Sequence, residues 1–199
     1  MHSGFAFAVS PIWRTLFWLS YASWILIELA IWSRDRAKVK GRRDDRFSML
    51  AIGVSIGVAN TLAFNAPRNW PAWTIAAPPE ALAAAGIVLI WAGIAFRLWA
   101  VRTLGRFFRV TVTLQEDHRL VDTGPYRKLR NPSYTGALIT LAGVGLALGN
   151  WLSLAAMALI PILGFGWRIR VEEASLASRF GADYDAYRRR RWALVPPLW

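Results

Sequence analysis

The sequence predicts an all-α integral membrane protein with about five transmembrane helices. Hydrophobic residues make up 55% of the 199 residues, and the chain contains 12 Trp. The net charge of +12 is concentrated in segments that separate long apolar runs. A helix of about 20 apolar residues crosses a hydrocarbon core ~30 Å thick, so these runs predict membrane spans. We expect residues 1–199 to form one polytopic domain.

The apolar runs set the predicted spans. The first of them carries Glu28 and lacks a small-residue cleavage site, which argues against a cleavable signal peptide. Residues 133–167 carry no charge and are too many for one span, with Gly149-Asn150 near the middle. We therefore predict a helical hairpin whose two ends lie on the same side of the membrane. The five predicted spans are 12–32, 47–66, 80–101, 134–148 and 151–166.

Glycine spacing and amphipathicity give further local predictions. Gly53 and Gly57 have the GxxxG spacing that lets another helix approach closely. Residues 1–11 are short and nearly uncharged, so we expect them to be poorly ordered. Residues 168–191 show apolar positions at helical spacing and predict an amphipathic helix, with Gly181 as a candidate break. Close helix packing is also expected at Gly136, Gly143, Gly145, Gly164 and Gly166.

The distribution of basic residues predicts the orientation. Segments 34–46, 102–130 and 168–191 hold seven basic residues each, whereas Arg68 is the only one in segment 67–79. By the positive-inside tendency, the three basic segments face the cytoplasm and the N-terminus lies outside. Basic charge beside apolar runs favours anionic lipid headgroups, not nucleic acid, as the partner. Usage rich in Ala, Arg and Trp favours a bacterial inner membrane.

Several kinds of site are not expected. The absence of Cys excludes disulfides, thiolate nucleophiles and Cys-ligated metals, and a chain with only His2 and His118 is not expected to bind a metal. No G-x-G-x-x-G motif follows a strand, so a soluble nucleotide-binding fold is not expected. A cofactor would then be held by loops and helix ends, chiefly in segments 105–136 and 168–191. Alternation over residues 110–114 predicts a short strand that pairs with residues 120–121.

Four charged residues stand out by position. Glu28 and Arg97 lie inside predicted spans, where they either pair with one another or line a path for a lipid tail. Arg168 and Glu172 are spaced i, i+4, which on an exposed helix would be an ion pair worth a few tenths of a kcal/mol. Their position where a span leaves the membrane favours a functional role.

Three sequence blocks carry a family resemblance. They are GRFFRVTVTLQEDHRLVDTG at 105–124, GPYRKLRNPSYTG at 124–136 and RIRVEEASLASRFGADYDAYRRR at 168–190. In this order they resemble the isoprenylcysteine carboxyl methyltransferase and phospholipid methyltransferase superfamily of integral membrane enzymes. One departure is Asn131, where the superfamily has histidine. Asparagine can donate a hydrogen bond but cannot titrate.

The resemblance implies a cofactor, S-adenosylmethionine, and residues that hold it. It also implies an arginine that positions the methyl acceptor, with Arg168 as the first choice and Arg170 as the second, beside Glu172 in the catalytic set. The cofactor-binding residues implied are His118, Leu120, Gly124, Pro125, Tyr126, Arg130, Asn131, Pro132, Tyr134, Glu172 and Glu173.

The function implied is methyl transfer to a lipid-like acceptor that enters from the bilayer. Carboxyl methylation of a prenylcysteine-like acceptor is the first hypothesis, because arginines dominate the region and an anionic nucleophile needs no base. The alternatives are a phospholipid or other amine, for which Glu172 or Glu173 would be the base, and a thiol. A non-catalytic membrane scaffold is the alternative of another class.

Overall fold

The computed structural model describes residues 4–36, 45–108 and 120–196. Within these ranges the chain is helical and contains no β-strand, which confirms the predicted all-α class. Four of the helices are long and apolar enough to cross a membrane, and a fifth apolar helix is shorter. The six helices are α1 Pro11–Arg36, α2 Asp45–Asn69, α3 Pro79–Leu104, α4 Pro132–Ala147, α5 Trp151–Phe180 and α6 Ala182–Arg189.

The predicted C-terminal hairpin is formed by α4 and α5. Its turn is capped by Asn150, whose side-chain oxygen accepts hydrogen bonds from the backbone N–H groups of Leu152 (2.9 Å) and Ser153 (3.4 Å). The last predicted span and the amphipathic segment form one 30-residue helix, which ends at Gly181 with φ 51°. Glycine adopts this left-handed backbone without the steric cost of a side chain, and α6 begins immediately afterwards.

The two ends of the helix bundle are joined by different contacts. At one end, the backbone N–H of Ile75 donates to the carbonyl of Gly149 at 2.9 Å. At the other end, Arg130 N–H donates to the carbonyl of Trp192 at 2.8 Å, and Trp192 N–H donates to that of Lys128 at 3.0 Å. We call the end with residues 120–131 and 181–196 the basic end. Both outer ends of the α4–α5 hairpin lie there, as predicted.

Helices α3 and α4 pack with their backbones in contact because glycines face each other. A Cβ atom added at Gly86 would lie 2.7 Å from the carbonyl oxygen of Gly143, and one at Gly136 would lie 2.6 Å from the backbone nitrogen of Arg97. Gly145 and Gly164 are equally confined. Close packing is thus confirmed at Gly136, Gly143, Gly145 and Gly164, and at Gly166 it stays a prediction. The contact at Gly136 fixes the start of α4 against α3.

Two local predictions are wrong. A Cβ at Gly53 or Gly57 would meet no heavy atom of the described residues within 4 Å, so this GxxxG pair does not pack against another helix there. Residues 4–11 are not poorly ordered: Ala6–Ala8 form a 3₁₀ turn, and the Phe7 ring stacks on Phe17 at 4.1 Å. Aromatic burial outweighs the entropy cost of ordering these few residues. The strand predicted over residues 110–114 lies outside the described residues.

Candidate functional site

The segment before α4 folds back into the basic end. Gly124 has φ 54° and begins a 3₁₀ turn that continues to Arg127, and Pro125 and Tyr126 are buried. Pro132 occupies the first turn of α4, where the missing N–H of proline has no intrahelical partner to lose. The predicted residues from Gly124 to Tyr134 therefore form one compact unit, with Leu120 half-buried at its edge. His118 lies outside the described residues.

The acidic pair of α5 meets this unit. The hydroxyl of Tyr134 donates to Glu172 Oε1 at 2.8 Å, and the Asn131 side-chain amide donates to Glu173 Oε1 at 3.3 Å. Arg130 Nε lies 3.0 Å from the same Glu173 oxygen as an ion pair, although without hydrogen-bond alignment. The two sequence blocks that the resemblance assigns to the cofactor are thus in direct contact.

We call the group formed by Arg130, Asn131, Tyr134, Glu172 and Glu173 the polar cluster. Arg168 contacts this cluster and is completely buried. Its Nε donates to Glu172 Oε1 at 2.7 Å, and its Nη1 donates to Ser48 Oγ on α2 at 2.9 Å. Arg168 and Glu172 do form an ion pair, but the alternative that this pair lies on an exposed helix surface is wrong. A guanidinium held on two sides in this way is arranged to fix Glu172. Direct contact with an acceptor, predicted from the resemblance, is not what this geometry favours.

Arg170 is not brought to the cluster. It is exposed on the opposite side of α5, where it borders a shallow apolar groove with Trp167 and Leu163. Consecutive helix positions are about 100° apart, so a residue two positions from the buried Arg168 points away from it. The second choice for the acceptor-positioning arginine is therefore not supported by its position.

The last described residues close the cluster, a contribution that the sequence patterns did not predict. Ala193 and Leu194 are buried, and their carbonyl oxygens accept hydrogen bonds from the Asn131 amide (3.0 Å) and from Thr135 Oγ1 (2.7 Å). Arg191 Nε donates to the carbonyl of Tyr126 at 2.8 Å. In the sequence, four consecutive arginines are followed by the apolar run at 192–195, and this run could have indicated that the chain packs back onto the protein there.

The tyrosines of this region remain protonated at neutral pH. Burial raises the pKa of Tyr126 far above its usual value, with the nearby Tyr187 and Glu172 acting in the same direction. Burial likewise raises the pKa of Tyr187 to about 12, although Arg191 opposes the shift. The Tyr187 hydroxyl donates to the carbonyl of Val121 at 3.1 Å. These phenols are therefore neutral donors and packing groups.

An apolar cavity of about 360 Å³ lies beside the cluster, within the range of typical ligand sites. Its walls are formed mainly by α1 and α2, including Trp24 and Ile52, and its floor by Leu141 and Phe165 of α4 and α5. Gly53 contributes to the wall of α2, which explains why no helix packs against it. The cavity lies within the membrane-spanning helices and can accept an apolar chain.

The polar end of this cavity is an ion pair between two spans. Arg97 Nη2 donates to Glu28 Oε2 at 2.6 Å, and Arg97 Nε lies 2.5 Å from Glu28 Oε1. The remaining terminal nitrogen, Nη1, donates to the carbonyl (3.0 Å) and the Oγ (2.7 Å) of Ser133. The predicted pairing is confirmed, and both residues also line the cavity. The alternative raised from the sequence, a path for a lipid tail, stays a prediction.

Tyr134 connects the cavity to the polar cluster. Its ring lines the cavity and contacts Phe165 at 5.1 Å between centroids, while its hydroxyl reaches Glu172. Ser133, the partner of Arg97, is its neighbour in the chain. A polar ligand held at the cluster and an apolar ligand held in the cavity would therefore meet near Tyr134.

Known proteins that are similar to this chain are methyltransferases. A family model described as "Phospholipid methyltransferase" matches residues 82–183, which include both blocks of the polar cluster. The chain is 36% identical over 113 residues to a probable protein-S-isoprenylcysteine O-methyltransferase of Oryza sativa subsp. indica (56% of this chain, 59% of that protein). It is 41% identical over 81 residues to a protein-S-isoprenylcysteine O-methyltransferase of Schizosaccharomyces pombe (41% of this chain, 34% of that protein).

The structural likeness is of the same kind. The fold is similar to the solved structure of a eukaryotic intramembrane Ras methyltransferase, isoprenylcysteine carboxyl methyltransferase, with a TM-score of 0.57 and 28% sequence identity. The similarity covers 72% of this chain and 51% of that chain. In all three comparisons less than two thirds of the relative is matched. On the family match over residues 82–183, this chain belongs to the phospholipid methyltransferase family of integral membrane proteins.

Proposed function

We propose that the protein is a membrane methyltransferase that uses S-adenosylmethionine to methylate the carboxylate of a prenylcysteine-like acceptor. The observation that carries the proposal is Tyr134, which touches both the polar cluster and the apolar cavity. The named activities of the similar rice and yeast proteins support the same reaction class.

The polar cluster fits the methyl donor. S-adenosylmethionine supplies an already activated methyl group on a positively charged sulfur. Two carboxylates, Glu172 and Glu173, suit its cationic and hydroxyl groups, and the guanidinium of Arg130 suits its carboxylate. Both N–H groups of the Asn131 amide are already used within the protein, so Asn131 supports Glu173. Among the described residues, every contact to Glu172 and Glu173 from Arg130, Asn131, Tyr134 and Arg168 is made to the Oε1 atom of the carboxylate. The Oε2 atoms are not used in these contacts. The cluster is thus held in place by a network in which each carboxylate can accept further bonds.

The cavity fits the acceptor. A prenyl chain would lie against the apolar walls, and the carboxylate at its polar end would reach Arg97, the cationic residue that lines the cavity. In the transfer, a carboxylate oxygen forms a bond to the methyl carbon as the carbon–sulfur bond breaks and its electron pair returns to sulfur. The carboxylate is already anionic, so no base is required. The protein aligns the reactants and excludes water.

An amine acceptor is the second candidate, favoured by one observation. Glu28 and Trp24 both line the cavity, and a carboxylate near an aromatic ring suits an ammonium or methylated ammonium headgroup. The family also bears the name of phospholipid methyltransferases. In this case Glu172 or Glu173 would take the proton that the ammonium must lose before its nitrogen can attack the methyl group.

One experiment separates these functions. Purified protein in vesicles is given S-adenosylmethionine labelled in the methyl group, with a prenylcysteine analogue or a phosphatidylethanolamine as acceptor. A methyl ester releases the label as methanol in mild base, whereas an N-methyl group keeps it. We expect base-labile label on the prenylcysteine analogue. Base-stable label on the phospholipid would favour the amine function, and no label on either would leave the scaffold hypothesis.

The membrane orientation is a further part of the proposal. We place the basic end in the cytoplasm, where the cofactor is made and where anionic headgroups can bind its arginines, in a bacterial inner membrane. Reporters fused at residue 72 and at the C-terminus should then lie on opposite sides. Equal reporter activity at both positions would contradict this orientation.

A further inference from the structure

In the cavity, Glu28 is paired with the Arg97 guanidinium, the group to which the carboxylate of the proposed acceptor would bind. Glu28 covers the Nε–Nη2 edge of Arg97 with both of its oxygens. The Nη2 contact is a hydrogen bond, whereas the Nε contact is a close ion pair without hydrogen-bond alignment. The Nε–Nη2 edge is also the edge through which an arginine binds a carboxylate ligand. The protein's own carboxylate therefore lies where the carboxylate of the proposed acceptor would bind.

We propose that Glu28 is an internal competitor of the acceptor, which exchanges with it on Arg97 during each catalytic cycle. The inference rests on the proposed carboxyl methylation and deepens it by naming the residue that controls acceptor affinity. Glu28 is a specificity and positioning residue in this scheme. It does not take part in the transfer of the methyl group.

The geometry shows which partner can leave. Arg97 is also held by Ser133 on α4 through two hydrogen bonds from Nη1, so its guanidinium stays in place when one edge is vacated. Glu28 has no such second anchor among the described residues, and its side chain is 27% exposed against 13% for that of Arg97. Helix α1 packs mainly on α3 and on the N-terminal turn, and the cavity separates it from α2 at this level. Glu28 is therefore the partner that can swing aside.

The charges make the exchange reversible. An entering carboxylate replaces one anion by another on Arg97, so the guanidinium stays paired. The charge left without a partner is that of Glu28, the more exposed of the two side chains. After methylation the acceptor is a neutral ester and loses its attraction to Arg97. The carboxylate of Glu28 then returns to the guanidinium, which favours release of the ester. The same step discriminates against neutral lipids, because they cannot replace Glu28.

The test uses Glu28→Gln, which keeps the shape of the side chain and removes its charge. KM for the prenylcysteine carboxylate should fall by about 10-fold, the scale expected for removing one competing charged contact, while kcat changes little. Equilibrium binding of the same carboxylate should tighten equally, and binding of its primary amide analogue should not change. Glu80→Gln is the matched control, since Glu80 is an exposed carboxylate at the far end of α3.

The alternative is that Glu28 only holds Arg97 in place. Glu28→Gln would then raise KM or leave it unchanged, and that outcome overturns the inference while the wild-type activity still supports the proposed function. Glu28→Asp gives a second reading if the Gln variant does not fold: its retracted charge should lower KM by a smaller factor, and a raised KM would contradict the exchange. If the wild-type protein neither binds nor methylates the carboxylate, the proposed function fails and the inference fails with it.

Discussion

The hydroxyl of Tyr134 lies 2.8 Å from Glu172 Oε1 and joins the first turn of α4 to the C-terminal third of α5. Glu172 accepts a second bond from Arg168 at the same oxygen, and Arg168 reaches Ser48 on α2. Three helices thus share one partly buried chain of polar contacts at the basic end. The ring of Tyr134 also forms part of the wall of the apolar cavity. The position of this one side chain therefore depends on both parts of the site.

Removing the Tyr134 hydroxyl should weaken the cofactor site. In Tyr134→Phe the ring still lines the cavity, but Glu172 loses a neutral donor. A hydrogen bond to a charged group contributes about 1.5–3 kcal/mol, so affinity for S-adenosylmethionine should fall by about 10-fold or more. Calorimetry on the purified protein measures this. Tyr21→Phe is the control, because it removes a similar 2.9 Å bond, to Asn60, away from the site. Equal losses in both variants would contradict the role of Tyr134.

Glycine packing between α3 and α4 should be sensitive to a single methyl group. In Gly136→Ala the new Cβ would lie 2.6 Å from the backbone nitrogen of Arg97, where no flexible side chain can move away. Overpacking of this kind costs about 1–3 kcal/mol and would also displace Arg97. We expect a lower thermal midpoint in detergent and reduced turnover. Gly57→Ala, at a position with open space, should be neutral or slightly stabilising, and a similar loss there would contradict the packing argument.

The elements predicted correctly from sequence are those with local causes. Apolar length predicted five apolar helices, of which four are long enough to cross a membrane and α4 is shorter. The Gly149-Asn150 pair predicted the hairpin turn, where the Asn150 side chain caps α5. The pairing of Glu28 with Arg97 was predictable because isolated charges are costly inside a membrane. The helices and the turn needed only the local sequence and the nature of the membrane as a solvent. The pairing also needed the predicted topology, which places Glu28 and Arg97 at a similar depth.

The features that were not predicted depend on which faces of two different helices pack against each other. The GxxxG spacing of Gly53 and Gly57 cannot show that Gly53 borders a cavity and that Gly57 is exposed. The periodicity of α5 also gave no sign that Arg168 would be covered by Ser48 of α2 while Arg170 remained outside. Whether a polar residue is buried is decided by the register of two helices, which no single segment contains. This matters most for Arg168: the resemblance implies that it positions the acceptor, whereas its burial against Ser48 favours a role in holding Glu172.

Alkaline pH should loosen the basic end in a predictable range. The pKa of Tyr187 is raised to about 12, whereas an unfolded tyrosine ionises near 10. The folded state therefore retains this proton above the pH at which the unfolded state loses it. The stability linked to Tyr187 is complete below about pH 10 and is lost as pH rises towards 12. Tyr187→Phe should reduce the slope of stability against pH in this range. An unchanged slope in denaturant titrations would contradict the assignment.

The buried cation of α5 gives the sharpest test of how the site is built. Arg168→Ala leaves the carboxylate of Glu172 without its closest cation and opens a space beside Ser48. Breaking a buried pair in this way costs about 3–5 kcal/mol, so we expect a clear loss of thermal stability together with weaker binding of S-adenosylmethionine. Arg168→Lys should recover part of the stability but little of the affinity, because one ammonium cannot replace the Nε and Nη1 contacts together. If Arg168 instead contacted the acceptor, the Ala variant would bind the cofactor normally and lose turnover alone.

Arg170→Ala, two positions along the same helix and exposed, is the matched control and should leave stability, cofactor affinity and turnover near wild type. Calorimetry and turnover on the same four samples, wild type included, distinguish a residue that holds Glu172 in place from one that binds the acceptor.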